Sequence, residues 1–139
     1  MEIRFIKDRD RPELWCRRDD QTVTRARLGQ QLPYHDLAHY VVESQLQLQG
    51  AFFGMIAAGH SIAELGQSDI VRNLPPEAML AETIVRNLQG MVTAGDQDPT
   101  TTLELINWEL DSRHQKLPAQ VTPDLIARMA AAYRALCVQ

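Results

Sequence analysis

The stretch Pro33-Tyr34-His35-Asp36-Leu37-Ala38-His39-Tyr40-Val41-Val42-Glu43 decides how the chain divides. Within it Leu37, Ala38, Val41 and Val42 recur at helical spacing, and Pro33 stands near a first turn, where its missing N–H costs nothing. Upstream the period is near two. Ile3 and Phe5 alternate with Glu2 and Arg4, then Leu14 and Cys16 with Trp15 and Arg17. After Asp19-Asp20-Gln21 come Val23, Ala26 and Leu28 among Thr and Arg. This alternation predicts three antiparallel strands at 2–7, 13–18 and 22–28, a hairpin at the Asp-Asp-Gln bend, and an exit loop at 29–33.

Downstream the punctuation is helical throughout. The first helix is expected over 33–48, broken by Gly50, and a second over 51–59. Phe52, Met55, Ile56 and Ala57 leave that second helix few polar positions, which places it centrally. Its glycines, Gly50, Gly54 and Gly59, cost helix propensity and point to the close approach of another backbone. Ser61-Ile62-Ala63-Glu64 reads as a capping box opening a short helix or turn. Pro75-Pro76-Glu77 opens a helix with Leu80, Ile84, Asn87, Leu88 and Met91 on one face, ending near Gly95. Asp98-Pro99 and Thr122-Pro123 open two more, the last carrying Leu125, Ile126, Met129, Ala130, Tyr133, Leu136 and Cys137 on one stripe. The expected fold is therefore α+β and predominantly helical. A three-stranded meander at 1–28 precedes a bundle of about five helices at 33–139, in one domain over 1–139.

Composition excludes several classes. With 45% hydrophobic and 23% charged residues the chain lacks the signature of disorder. Two distant cysteines, Cys16 and Cys137, make neither a disulfide framework nor a zinc ribbon, and free thiols suit a reducing compartment. The opening MEIRFIKDRDR holds no apolar signal core, and the longest apolar run, GAFFGMIAAG at 50–59, is too short to span a bilayer. A cytoplasmic protein with no membrane partner is the expectation. Residues 1–28 carry eight basic and six acidic side chains, but Asp8, Asp10, Asp19 and Asp20 interleave the arginines. That mixture reads as solvated strand faces rather than a nucleic-acid surface.

One constellation is left to carry chemistry. Residues i, i+4 and i+8 of a helix stand one turn above another, so His35, His39 and Glu43 share a stripe that borders the apolar face. Two imidazoles four residues apart can present ring nitrogens to one ion, and Glu43 can add a carboxylate oxygen. His35, His39 and Glu43 are thus the candidate ligands of a divalent metal such as zinc. Asp36 and His60 are candidate ligand-binding residues, with His114 a further imidazole that could complete the set. Asp36 or Glu43 could serve as base to a metal-bound water. The same residues also fit a plain helix, because Asp near a helix N-terminus and Glu four residues after His stabilise it without any ligand.

His35-Asp36-x-x-His39 is similar to the motifs of HD-domain phosphohydrolases, of a ubiquinone-biosynthesis protein and of HExxH metalloproteases. Each of those needs a further ligand at a position where this chain has none, as no His precedes His35 and Ala stands at 51. Over roughly residues 12–60 the chain resembles a family of bacterial proteins with a Pro-His-Asp-Leu-x-His-[Phe/Tyr]-x-Val-Glu helix motif. Those proteins share a short meander, that helix, and then a Gly-, Phe- and Ala-rich helix. Here Tyr34 is inserted between Pro33 and His35. The resemblance implies this order of elements and brings no activity. Two functional readings follow from the sequence. One is a small metal- or ligand-binding protein with its site on the first helix. The other is a non-enzymatic interaction protein or homodimer in which the stripe is structural and Trp15, Trp108 or the Gly-rich helix supplies the contact surface.

Overall fold

The computed structural model describes residues 1–30, 32–95 and 97–139. Three strands, β1 (Glu2–Ile6), β2 (Glu13–Arg17) and β3 (Val23–Arg27), form an antiparallel sheet in the order β1-β2-β3. The register pairs Ile3 with Cys16 and Phe5 with Leu14 on one side, and Cys16 with Thr24 and Leu14 with Ala26 on the other. Alternate residues therefore face inward together, and Leu14 and Cys16 are fully buried. On the outer face the guanidinium groups of Arg4 and Arg17 lie 4.7 and 5.7 Å from the Trp15 ring, and both pair with Glu2. Arg18 crosses to the C-terminal end of the second helix, donating to the Ile56 and His60 carbonyls at 2.6 and 2.7 Å. The hairpin forms where the Asp-Asp-Gln bend was expected, with Gln21 at φ 72° and the Asp20 carboxylate accepting from the Thr22 amide.

Seven helices follow among the described residues: α1 (Leu32–Leu46), α2 (Phe52–Ala57), α3 (Ile62–Leu65), α4 (Ser68–Arg72), α5 (Pro76–Thr93), α6 (Pro99–Ser112) and α7 (Pro123–Cys137). About five were expected; the stretch read as one short helix or turn from Ser61 holds both α3 and α4. Ser61 does cap α3, its hydroxyl accepting from the Glu64 amide at 3.1 Å. The exit loop expected at 29–33 includes Gln31, outside the described residues, and α1 begins at Leu32 rather than Pro33. It also ends sooner than expected. Gln47 turns left-handed at φ 54° and the Leu48 amide reaches back to the Glu43 carbonyl at 3.0 Å, closing the helix before Gly50.

The interior forms two clusters. Ala38 and Val42 of α1, Ile84 and Leu88 of α5, Ile106 and Leu110 of α6, and Ile126 and Met129 of α7 interlock in a four-helix bundle. Leu14 and Cys16 of β2 join Phe53 and Ile56 of α2 and Ile62 and Leu65 of α3 in a second core under the sheet. α2 is the central element of that second core. A Cβ at Gly54 would collide with the Gln49 carbonyl, so the loop after α1 can fold onto α2 only over a glycine. The Glu77 carboxylate at the start of α5 accepts from the Gln49 and Gly50 amides at 2.6 and 2.8 Å and pins the same loop from the other side. No described helix is long and apolar enough to cross a membrane.

Candidate metal centre between the two cores

The stripe on α1 lies where the bundle meets the sheet-bearing half. Asp36, His39 and Glu43 are buried, and His35 is half-buried. The innermost group, Glu43, holds two elements at once. Its Oε1 lies 3.1 Å from His39 Nδ1, and its Oε2 accepts from the Phe53 amide at 2.9 Å. Ala51 at the N-cap of α2 has no side-chain acceptor, so a carboxylate from α1 satisfies that helix start instead.

These contacts fix how both imidazoles are turned. A carboxylate against Nδ1 holds hydrogen there, so His39 directs Nε2 away from Glu43. His35 Nδ1 lies 2.9 Å from Gln89 Oε1, and the Gln89 amide nitrogen lies 3.2 Å from the Tyr133 hydroxyl. His35 therefore also gives its Nδ1 hydrogen to an acceptor and turns Nε2 outward. The two Nε2 atoms stand 3.2 Å apart, with the rings edge to face. Glu82 of α5 sends Oε2 to the same point, 2.9 Å from His39 Nε2 and 3.5 Å from His35 Nε2. Three lone-pair-bearing atoms thus converge, and only a cation between them can make the arrangement favourable. A proton on His39 Nε2 is one such cation; a metal ion is the other.

The electrostatics follow from this packing. Burial alone would push the His39 imidazolium down, but hydrogen bonds to Glu43 and Glu82 more than reverse it, and its pKa is raised to about 9. The hydrogen bond to Glu82 raises His35 against the opposing effect of burial. Hydrogen bonds from His35 and His39 in turn hold the Glu82 carboxyl well below its usual range. Burial pushes the Asp36 carboxyl up to about 6, partly offset by the two imidazoles.

The cluster opens into a cleft of about 420 Å³ between α1, α2, α3, α4 and α5. Among the described residues, His35, Asp36, His39 and Glu82 are the only charged or titratable side chains that line it. The Phe52 ring leans on His39 with centroids 5.5 Å apart.

Sequence reasoning found His35 and His39 but not the carboxylate that joins them. Glu82 converges with the two histidines, whereas Glu43 lies behind His39, on the opposite ring nitrogen. Asp36 lines the cleft beside the cluster. His60 is elsewhere, exposed and paired with Glu64 at 3.3 Å, and His114 stands in left-handed backbone just past α6. A signal for Glu82 was present. Glu82 and Gln89 are seven residues apart at the margin of the apolar face of α5, so two polar side chains stand two turns apart on one line. Of the aromatic residues expected to offer a contact surface, Trp15 packs against two arginines, and Trp108 is 72% exposed on α6.

The potential donor set is two imidazoles, which would ligate in their neutral form, and one carboxylate, each imidazole oriented by an acceptor on its far nitrogen. Comparison of the chain with models of known families, with curated proteins and with solved structures gives no match.

Proposed function

We propose that this chain is a metal-binding protein holding one divalent ion, zinc or a first-row neighbour, through His35 Nε2, His39 Nε2 and Glu82 Oε2. The observation that carries this reading is the triangle of donors, with sides of 2.9, 3.2 and 3.5 Å. Tetrahedral zinc with bonds of about 2.0–2.1 Å requires donors about 3.3–3.4 Å apart, so the triangle matches one face of that tetrahedron to within a few tenths of an ångström. His35, His39 and Glu82 all line the cleft, so an ion held by them would keep a further position open to it. Two imidazoles and a carboxylate with one open position are the donor set of catalytic rather than structural zinc, and the chemistry an ion supplies there is activation of a bound water. Glu43 has both oxygens committed to His39 and Phe53, which leaves Asp36 as the carboxyl available to receive a proton in the cleft.

Elemental analysis of protein purified without an affinity tag tests this. Wild type should carry about one equivalent of metal, and His39→Ala and Glu82→Ala should carry almost none. Metal-free wild type, with no rise in melting temperature on adding zinc, manganese or nickel, would overturn it.

A second reading is favoured by one observation: His39 already has a carboxylate within hydrogen-bond reach of each ring nitrogen. On that reading the stripe is a structural ion-pair relay, and the protein acts through a surface such as the exposed Trp108 and Leu105 of α6. It predicts the metal-free outcome.

A further inference from the structure

We propose that the cleft binds a small, uncharged, mainly apolar molecule that meets the metal through one oxygen donor. The inference rests on the metal reading and deepens it by naming a ligand class. The argument begins with what the walls contain. Phe52 and Met55 of α2, Leu65 of α3, Val71 of α4 and Leu74 before α5 present hydrocarbon and thioether surface around the cluster. Among the described residues, no lysine or arginine lines this cleft. An anionic ligand such as a phosphate or a carboxylic acid would find a single cationic group, the ion, already faced by Glu82, with Asp36 beside it. Charge complementarity therefore runs against anions. A cationic ligand fares no better, since the carboxylates are occupied by His39, His35 and the Phe53 amide or sit next to a divalent ion.

A neutral ligand meets neither obstacle. Its polar atom is fixed at one end by the ion, and the rest of the molecule replaces water against apolar walls, a combination of one orienting group and broad hydrophobic contact that typifies small-molecule sites. At about 420 Å³ the cleft lies toward the lower end of the usual range for such sites. It has room for one aromatic ring or a short acyl chain bearing a carbonyl. Esters and amides are the matching chemistry.

Cobalt-substituted protein tests the inference, because the visible absorption of four-coordinate cobalt reports both metal uptake and displacement of the open-position ligand. Three probes are titrated: acetamide, benzamide and inorganic phosphate. Benzamide should bind at least about tenfold more tightly than acetamide, since its ring buries several more carbons. Phosphate should bind more weakly than either. Val71→Asp changes a half-exposed cleft residue, so the fold is retained, and it should remove the preference for the ring while the cobalt spectrum stays unchanged. Equal affinity for the two amides, or tighter binding of phosphate, would overturn the inference and leave the metal centre standing. Protein that takes up no cobalt would overturn the metal reading, and the ligand proposal with it.

Discussion

Two His-x-x-x-Glu pairs occur in this chain, and their sequence spacing is the same. His39 and Glu43 lie 3.1 Å apart with side chains 8% and 4% exposed, while His60 and Glu64 lie 3.3 Å apart at 46% and 49%. The outer pair is half-exposed, and no third side chain among the described residues hydrogen-bonds to it. The inner pair is met by α5 through Glu82, by α2 through the Phe53 amide, and by His35 one turn earlier. The difference teaches that i,i+4 spacing makes a pair, whereas convergence of other elements on the far ring nitrogen makes a site. Desolvation sharpens it, since an ion pair in water contributes little and a buried one cannot lose a partner without leaving a charge stranded.

The sharpest way to break the comparison is metal content. His60→Ala should keep the full complement of bound metal and His39→Ala should lose it, a result read by elemental analysis; equal retention would put the two pairs in one class. Next in size is stability. Glu43→Ala leaves the Phe53 amide and His39 Nδ1 without an acceptor, and urea unfolding should show a loss of about 3–5 kcal/mol. Glu64→Ala should fall within about 0.5 kcal/mol of wild type in the same assay.

The third contrast is pH dependence. The folded-state pKa of His39 is raised from 6.5 to about 9, so its contribution to the metal-free protein is complete below pH 6.5 and lost as pH rises to 9. Asp36 and Glu82 leave this window clear, because the opposing cost from Asp36 develops between 3.8 and about 6 and the Glu82 contribution is lost only below 4.5, while His35, also raised above 6.5 by Glu82, adds a loss of the same sign. Unfolding free energy should fall by something on the order of 2–3 kcal/mol between pH 6.5 and 9, and His39→Gln should flatten the slope. Zinc should flatten it too, since an ion then stands where the proton stood. The smallest effect is expected at Gln89. Gln89→Ala removes the acceptor that orients His35, and zinc affinity should drop by about tenfold with no change in stoichiometry.

How much of this was legible beforehand differs by region. The strands were readable because the sheet has one wet face, so Ile3, Leu14 and Cys16 alternate with charged neighbours. Helix starts were readable where a cap or proline marks them. Thr122 accepts from the Leu125 amide and Asp98 from the Thr100 amide, each just before a proline. α4 was missed because a helix of five residues is shorter than the period needed to recognise it. Half of the site was readable for the same reason that α1 was. His35 and His39 are local to one helix, whereas Glu82 is separated from His39 by 43 residues and joins it only when α5 packs on α1. A stripe shows which residues share a face; it says nothing of what the opposite wall contributes.

The double attachment of Glu43 has a consequence for the whole molecule. One carboxylate orients a ring of the cluster and anchors the first turn of the helix that organises the core under the sheet. On the proposed metal-binding reading, cation capture and order in α2 would be linked reciprocally: whatever tightens one would favour the other by the same free energy. The sheet half thus becomes a reporter of the bundle half, and the indole emission of Trp15, on the far face of β2, should register the filling of a site it never touches.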